Sequence, residues 1–172
     1  MRFAWQSALA AVLLVVAIFG VGVRFELVGC LYLAVVTSEL CRVDLAEHRL
    51  PNTLVLPGFA FASVGAAFGW LATGRPPTAT AVATLAVGGF FALLAVTGGV
   101  GMGDVKLVAV LALAGGAASV LVVVGTVVLG FITAGLGALT ILAARGGAGN
   151  LAFGPYLLGG FWASVGALPL FV

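Results

Sequence analysis

Charge is what this sequence has least of. Its 172 residues include 7 Lys and Arg, 5 Asp and Glu, and a single histidine, His48. So few cations, for a net charge of +2, cannot form a phosphate-binding surface, and no nucleic-acid partner is expected. One imidazole excludes a metal site built from several. The two cysteines, Cys30 and Cys41, lie eleven residues apart on one expected helix. That is about 16 Å along its axis, too far for a disulfide. The absence of Cys-x-x-Cys removes the zinc and redox cases as well. Ser7, Ser38, Ser63, Ser119 and Ser164 are scattered through apolar runs, and none sits in a Gly-x-Ser-x-Gly turn.

Apolar sequence fills the space that charge leaves. The chain is 63% hydrophobic, with a mean hydropathy of +1.33 and 26 glycines. That is an integral membrane protein whose helices pack through small residues. We expect an all-α, polytopic bundle of about seven transmembrane helices forming one membrane-embedded domain over residues 1–172. The apolar runs are 5–23, 27–43, 53–73, 79–97, 104–114, 119–144 and 151–171. The fifth is short for a span unless it takes in Gly115-Gly116. The first could be a signal peptide, but no clear Ala-x-Ala site follows and another run starts at once, so it is read as a span. No internal repeat stands out.

Seven spans with a cytoplasmic N-terminus put Arg2, Arg42, Arg49, Lys106 and Arg145 inside and only Arg24 and Arg75 outside. This agrees with the positive-inside rule, and the opposite orientation does not. Merging the fifth and sixth runs would move Arg145 outside and weaken the bias.

The stretch from Gly98 to Leu107 holds one of the few acidic residues, Asp104, between a Gly-rich turn and an apolar run. A carboxylate drawn to the bilayer centre costs roughly 2.5–3.5 kcal/mol, so an Asp at the mouth of a membrane helix suggests function. Asp44 ends the second run, and the chain crosses the membrane twice between the two. Both therefore lie at the same face, where packing could bring them together. Two carboxylates in a partly desolvated site share a proton and titrate as a unit. One can take a proton from water while the other hydrogen-bonds a scissile carbonyl, which needs neither a metal nor an organic cofactor.

Asp44 is followed seven residues later by Pro51-Asn52, then by Gly-Met-Gly-Asp-Val-Lys-Leu at 101–107 and by Phe153-Gly154-Pro155-Tyr156. In this order the segments resemble the type IV prepilin peptidase family of membrane aspartic proteases. The resemblance implies that Asp44 and Asp104 are the catalytic pair. It implies a prepilin-like substrate whose short basic leader is cut at the cytoplasmic membrane face, usually after a Gly. Larger family members carry an added cytoplasmic domain, often with Cys-x-x-Cys pairs, and also methylate the new N-terminus. This chain lacks that loop, so methylation is not expected. It is like the compact, peptidase-only members, with one additional N-terminal span.

The remaining polar residues keep two readings each. Lys106 could lower the pair's pKa or meet an acidic residue of the substrate, or it could simply anchor a helix start on the positive side. Glu47, His48 and Arg49 read as a solvated loop face more than as a substrate clamp. Pro51 and Pro155 fit helix starts, where a missing N–H costs little. Gly101 and Gly103 would let a substrate backbone approach Asp104, with Asn52 and Lys106 shaping the site. Glu39 could support the site or face a packed neighbour in its protonated form. Phe90, Phe91 and Phe131 suit lipid contact or packing. Two rivals stay open: a presenilin-like Gly-x-Gly-Asp protease, and a transporter or assembly subunit relaying protons or ions.

Overall fold

The computed structural model describes the backbone of residues 2–145 and 151–171 and the side chains of 5–143 and 151–171. Arg2 and Arg145, two of the cations expected on one face, have side chains outside that set. Seven α-helices and no strand occur among the described residues: α1 (Arg2–Val21), α2 (Leu27–Glu47), α3 (Asn52–Thr73), α4 (Thr78–Val96), α5 (Met102–Ala118), α6 (Val120–Arg145) and α7 (Gly154–Ala167). A single 3-10 turn, Leu168–Leu170, follows α7. The all-α membrane bundle expected from the seven apolar runs is what the chain forms.

The helices differ in how much lipid they can face. Among the described residues, α3, α4 and α6 are long and apolar enough to cross a bilayer by length and composition. Their large side chains point outward: Leu71 is 77% exposed, Leu85 75% and Val96 85%. A water-facing surface would not carry such residues in rows, whereas lipid accepts them. α2, α5 and α7 fall short for identifiable reasons. Glu39, Arg42, Asp44 and Glu47 interrupt α2. α5 has 17 residues and α7 has 14, about 25 and 21 Å at 1.5 Å per residue. The fifth run does take in Gly115-Gly116, and it ends at Ser119, whose extended backbone separates α5 from α6. The two runs therefore do not merge. The seventh starts later than expected, at Gly154, with Pro155 in its first turn.

α2, α5 and α7 supply much of the interior. α5 packs against α2, α3, α4, α6 and α7, and α7 against α1, α2, α5 and α6. Leu33 and Leu40 of α2, Leu107 and Leu111 of α5, and Leu157 and Phe161 of α7 are at most 1% exposed. The links are short. Gly74 closes α3 in the left-handed region, at φ 68°, and its N–H reaches the Trp70 carbonyl. Gly98, at φ 79°, turns the chain toward α5. Both are conformations that a β-carbon disfavours. Cys30 and Cys41, on α2, are free thiols.

α6 and α7 approach closely through glycine. A β-carbon on Gly160 would lie 2.7 Å from the Thr126 carbonyl oxygen and 2.8 Å from the Gly130 nitrogen, both backbone atoms that cannot swing aside. Gly160→Ala should therefore push the helices apart and cost about 1–3 kcal/mol. Gly159, with open space where its β-carbon would be, should accept alanine without loss. Thermal unfolding of the two variants in detergent checks this, and equal melting temperatures would refute it.

Candidate active site

Asp44 lies in the last turn of α2 and is buried, at 4% exposure. The helix stops just beyond it. His48 adopts the left-handed conformation, at φ 50°, and its N–H donates to the Asp44 carbonyl at 2.9 Å. The chain then turns through Arg49 and Leu50, and Pro51 caps α3 with extended backbone. Pro51 thus stands just before the first helical residue, where its missing N–H costs nothing.

Asp104 is the third residue of α5. Its Oδ2 accepts the Gly101 N–H at 3.2 Å, which satisfies one of the free N–H groups at the start of the helix, while the Asp104 N–H donates to the Gly101 carbonyl at 3.0 Å. The turn that brings Asp104 to the mouth of α5 faces the α2–α3 link. A β-carbon on Gly103 would lie 3.1 Å from the Leu50 β-carbon. The neighbour that requires a small residue at 103 is therefore the chain's own link. Lys106 Nζ donates to Asn52 Oδ1 at 3.0 Å, joining the first turns of α5 and α3.

Asp44 and Asp104 line one cavity of about 310 Å³. Asn52, Gly101, Gly103, Lys106, His48, Arg49, Leu50 and Met102 complete its wall. His48 and Arg49, expected on a solvated loop face, are exposed and also border this cavity. From the opposite side α7 delivers the Gly154 N–H to Asp44 Oδ2 at 3.0 Å, in a buried hydrogen bond.

Both carboxylates lie near helix ends, Asp44 in the last turn of α2 and Asp104 in the first turn of α5, and neither belongs to α3, α4 or α6, the described helices long and apolar enough to cross a bilayer. Burial raises the Asp44 pKa above its ordinary value, opposed by the Gly154 N–H and the nearby His48. Asp104 is pushed up to about 6, first by burial and then by the negative charge of Asp44, with the Gly101 N–H opposing. The pair can thus hold one proton between its members in mildly acidic solution, the condition for joint acid and base action.

A sequence profile of the type IV leader peptidase family matches residues 27–142, about two thirds of the chain. The chain belongs to that family. No curated protein and no solved structure matches it significantly. A peptidase function and a membrane setting follow for this leader peptidase family member. Both carboxylates and the Gly101–Leu107 segment fall within the matched residues, whereas Gly154 lies beyond them.

Glu39 is engaged elsewhere. It pairs with Arg42 Nη2 through Oε1 at 2.5 Å and accepts the Gln6 side-chain amide at 3.1 Å, and it does not line the cavity. The intramembrane carboxylate expected there is a partly exposed member of an ion pair within α2, and the Gln6 hydrogen bond ties it to α1. Among the described residues no three of His, Cys, Asp and Glu cluster as metal ligands would. Phe91 and Phe131, expected in packing or lipid contact, stack with Phe153 at 6.1 and 5.3 Å, a cluster beside the start of α7.

The raised pKa of Asp104 has a consequence for stability. The folded protein holds this proton more tightly than the unfolded chain, so the contribution is favourable at low pH. It is lost as pH rises from the ordinary carboxylate value of 3.8 toward about 6. Asp104→Asn should remove that loss, melting above the wild type at neutral pH and converging with it in acid. Parallel melting curves at every pH would contradict the assignment.

Proposed function

We propose that this leader peptidase family member is an aspartic endopeptidase that removes the short basic leader of prepilin-like proteins at the cytoplasmic face of the cell's inner membrane. Residues 1–172 work as one membrane-embedded unit in this reading. The observation that carries it is the shared cavity: Asp44 and Asp104 come from helices 60 residues apart in sequence and face the same 310 Å³. That volume holds several waters and one stretch of extended peptide.

In the reaction, the ionised carboxylate of the pair takes a proton from a water as its oxygen attacks the scissile carbonyl carbon. The protonated partner donates a hydrogen bond to the carbonyl oxygen as negative charge develops there. The tetrahedral adduct then collapses. The C–N bond breaks, the amine leaves with a proton from the pair, and the leader departs as a carboxylic acid. Gly101 and Gly103 shape the wall beside Asp104, and Lys106 with Asn52 holds the two helix starts that frame the opening. A relay for protons or ions would need carboxylates spaced through the bilayer. Here the two lie at one end, and Glu39 is taken by Arg42 and Gln6.

Co-expression with a prepilin bearing a short basic leader that ends in Gly tests this by the size shift of the processed pilin. Asp44→Asn and Asp104→Asn should each lower cleavage at least about a hundredfold while the protein stays in the membrane. Chelators and serine-directed reagents should have no effect. Processing that survives in both variants, or is blocked by a chelator, would overturn the mechanism.

A further inference from the structure

Resting on the reading of Asp44 and Asp104 as the reacting pair, we infer that Gly154 is a positioning residue of the same site. Its backbone N–H, presented by the first turn of α7, holds Oδ2 of Asp44 in its charged form and leaves Oδ1 for proton transfer with water.

Four observations converge on it. The hydrogen bond is buried and 3.0 Å long. In that turn Pro155 has no N–H, and those of Tyr156 and Leu157 both go to the Phe153 carbonyl. The Gly154 N–H is therefore the first-turn donor turned toward the cavity wall, where the helix dipole also favours an anion. Second, a β-carbon at 154 would lie 2.7 Å from Asp44 Oδ2, 3.3 Å from its Cγ and 3.4 Å from Leu50 Cδ2. The donor can approach this closely because residue 154 has no side chain.

Third, α7 is held in register against α2 at a second point. Trp162 Nε1–H donates to Thr37 Oγ1 at 3.0 Å, while the Thr37 hydroxyl donates to the Leu33 carbonyl at 2.6 Å. Residues 162 and 37 each lie about two turns from 154 and 44. Two bonds so spaced set the sliding position of one helix on the other. Fourth, Phe153 is wedged against Phe91 of α4 and Phe131 of α6, which fixes the chain just before the donor.

The charged and titratable groups around Asp44 come from the other elements. They are Cys41 and His48 with α2, Arg49 on the link, and Asp104 and Lys106 of α5. α7 adds no acidic side chain in its first turn, so its effect on Asp44 is that of the N–H and the dipole. Both favour the ionised carboxylate. Removing them lets Asp44 keep its proton to higher pH, and the acid limb of the rate profile moves upward.

The test uses the full-length protein in detergent and a synthetic peptide with a short basic leader ending in Gly before an apolar helix. Gly154→Ala should lower kcat roughly tenfold or more, leave KM within about twofold and shift the acid limb of kcat to higher pH. Gly159→Ala, whose β-carbon meets nothing, should leave all three unchanged. Trp162→Phe keeps a ring in place and loses the N–H, and it should give the same shift at smaller amplitude. It decides the matter if Gly154→Ala does not accumulate. A wild-type acid limb in these variants, whether or not the rate falls, would overturn the proposal, since a packing defect lowers the rate without moving the limb. Activity retained by Asp44→Asn would instead remove the reading of the reacting pair.

Discussion

Taking a carboxylate out of water without a hydrogen-bond partner costs roughly several kcal/mol, and the surroundings of Asp44 are arranged around that penalty. Among nearby side chains His48 favours the charge, while the Lys106 ammonium is hydrogen-bonded to Asn52 and Arg42 belongs to Glu39. A main-chain N–H from α7 supplies the direct hydrogen bond. That solution requires three interior helices to converge at one end: α2 carrying one acid, α5 carrying the other and α7 bringing the donor. The fully buried leucines of these three helices make the convergence rigid.

The same constraint explains the division between inner and outer helices. A helix that carries charge near its end cannot be sheathed in lipid along its whole length, so α2 and α5 are enclosed by neighbours. α3, α4 and α6 bear most of the contact with the bilayer and are the most continuously apolar. In α4 only Thr80 and Phe91 are buried. Thr80 donates to the Gly116 carbonyl at 2.8 Å, tying α4 to the end of α5 remote from Asp104. Polarity and position in the bundle thus vary together.

Much of this was legible in the residues. Seven apolar runs became seven helices, and the even number of crossings between Asp44 and Asp104 put both at one end, where they face one cavity. That the fifth and sixth runs are separate helices could be inferred from the balance of cations; Ser119, placed at the start of the sixth run, is the break between them. The role of Gly154 could not. It acts through a main-chain group 110 residues from its partner, and a backbone N–H leaves no signature in a side-chain pattern. Phe-Gly-Pro marked the place without revealing the contact. Glu39 misled for a related reason: an acid in an apolar run looks buried until the chain supplies Arg42 one turn on and Gln6 from another helix. Gly103 was expected to make room for an incoming backbone, yet the atoms nearest it are those of Leu50.

The family match spans residues 27–142, and the two helices outside it lie against each other. Gly20 of α1 packs on the backbone of Val165 in α7, and a β-carbon on Gly166 of α7 would lie 3.5 Å from Val16 Cγ1 of α1. Both also rest on α2, the helix that bears Asp44. A fragment trimmed to the matched residues would retain both acids, the capped start of α5 and the Lys106–Asn52 link. It would lose the donor to Asp44, the bond that fixes its register and the helix that backs them both. The packing and hydrogen bonding around Asp44 therefore extend beyond the segment by which the kinship is recognised.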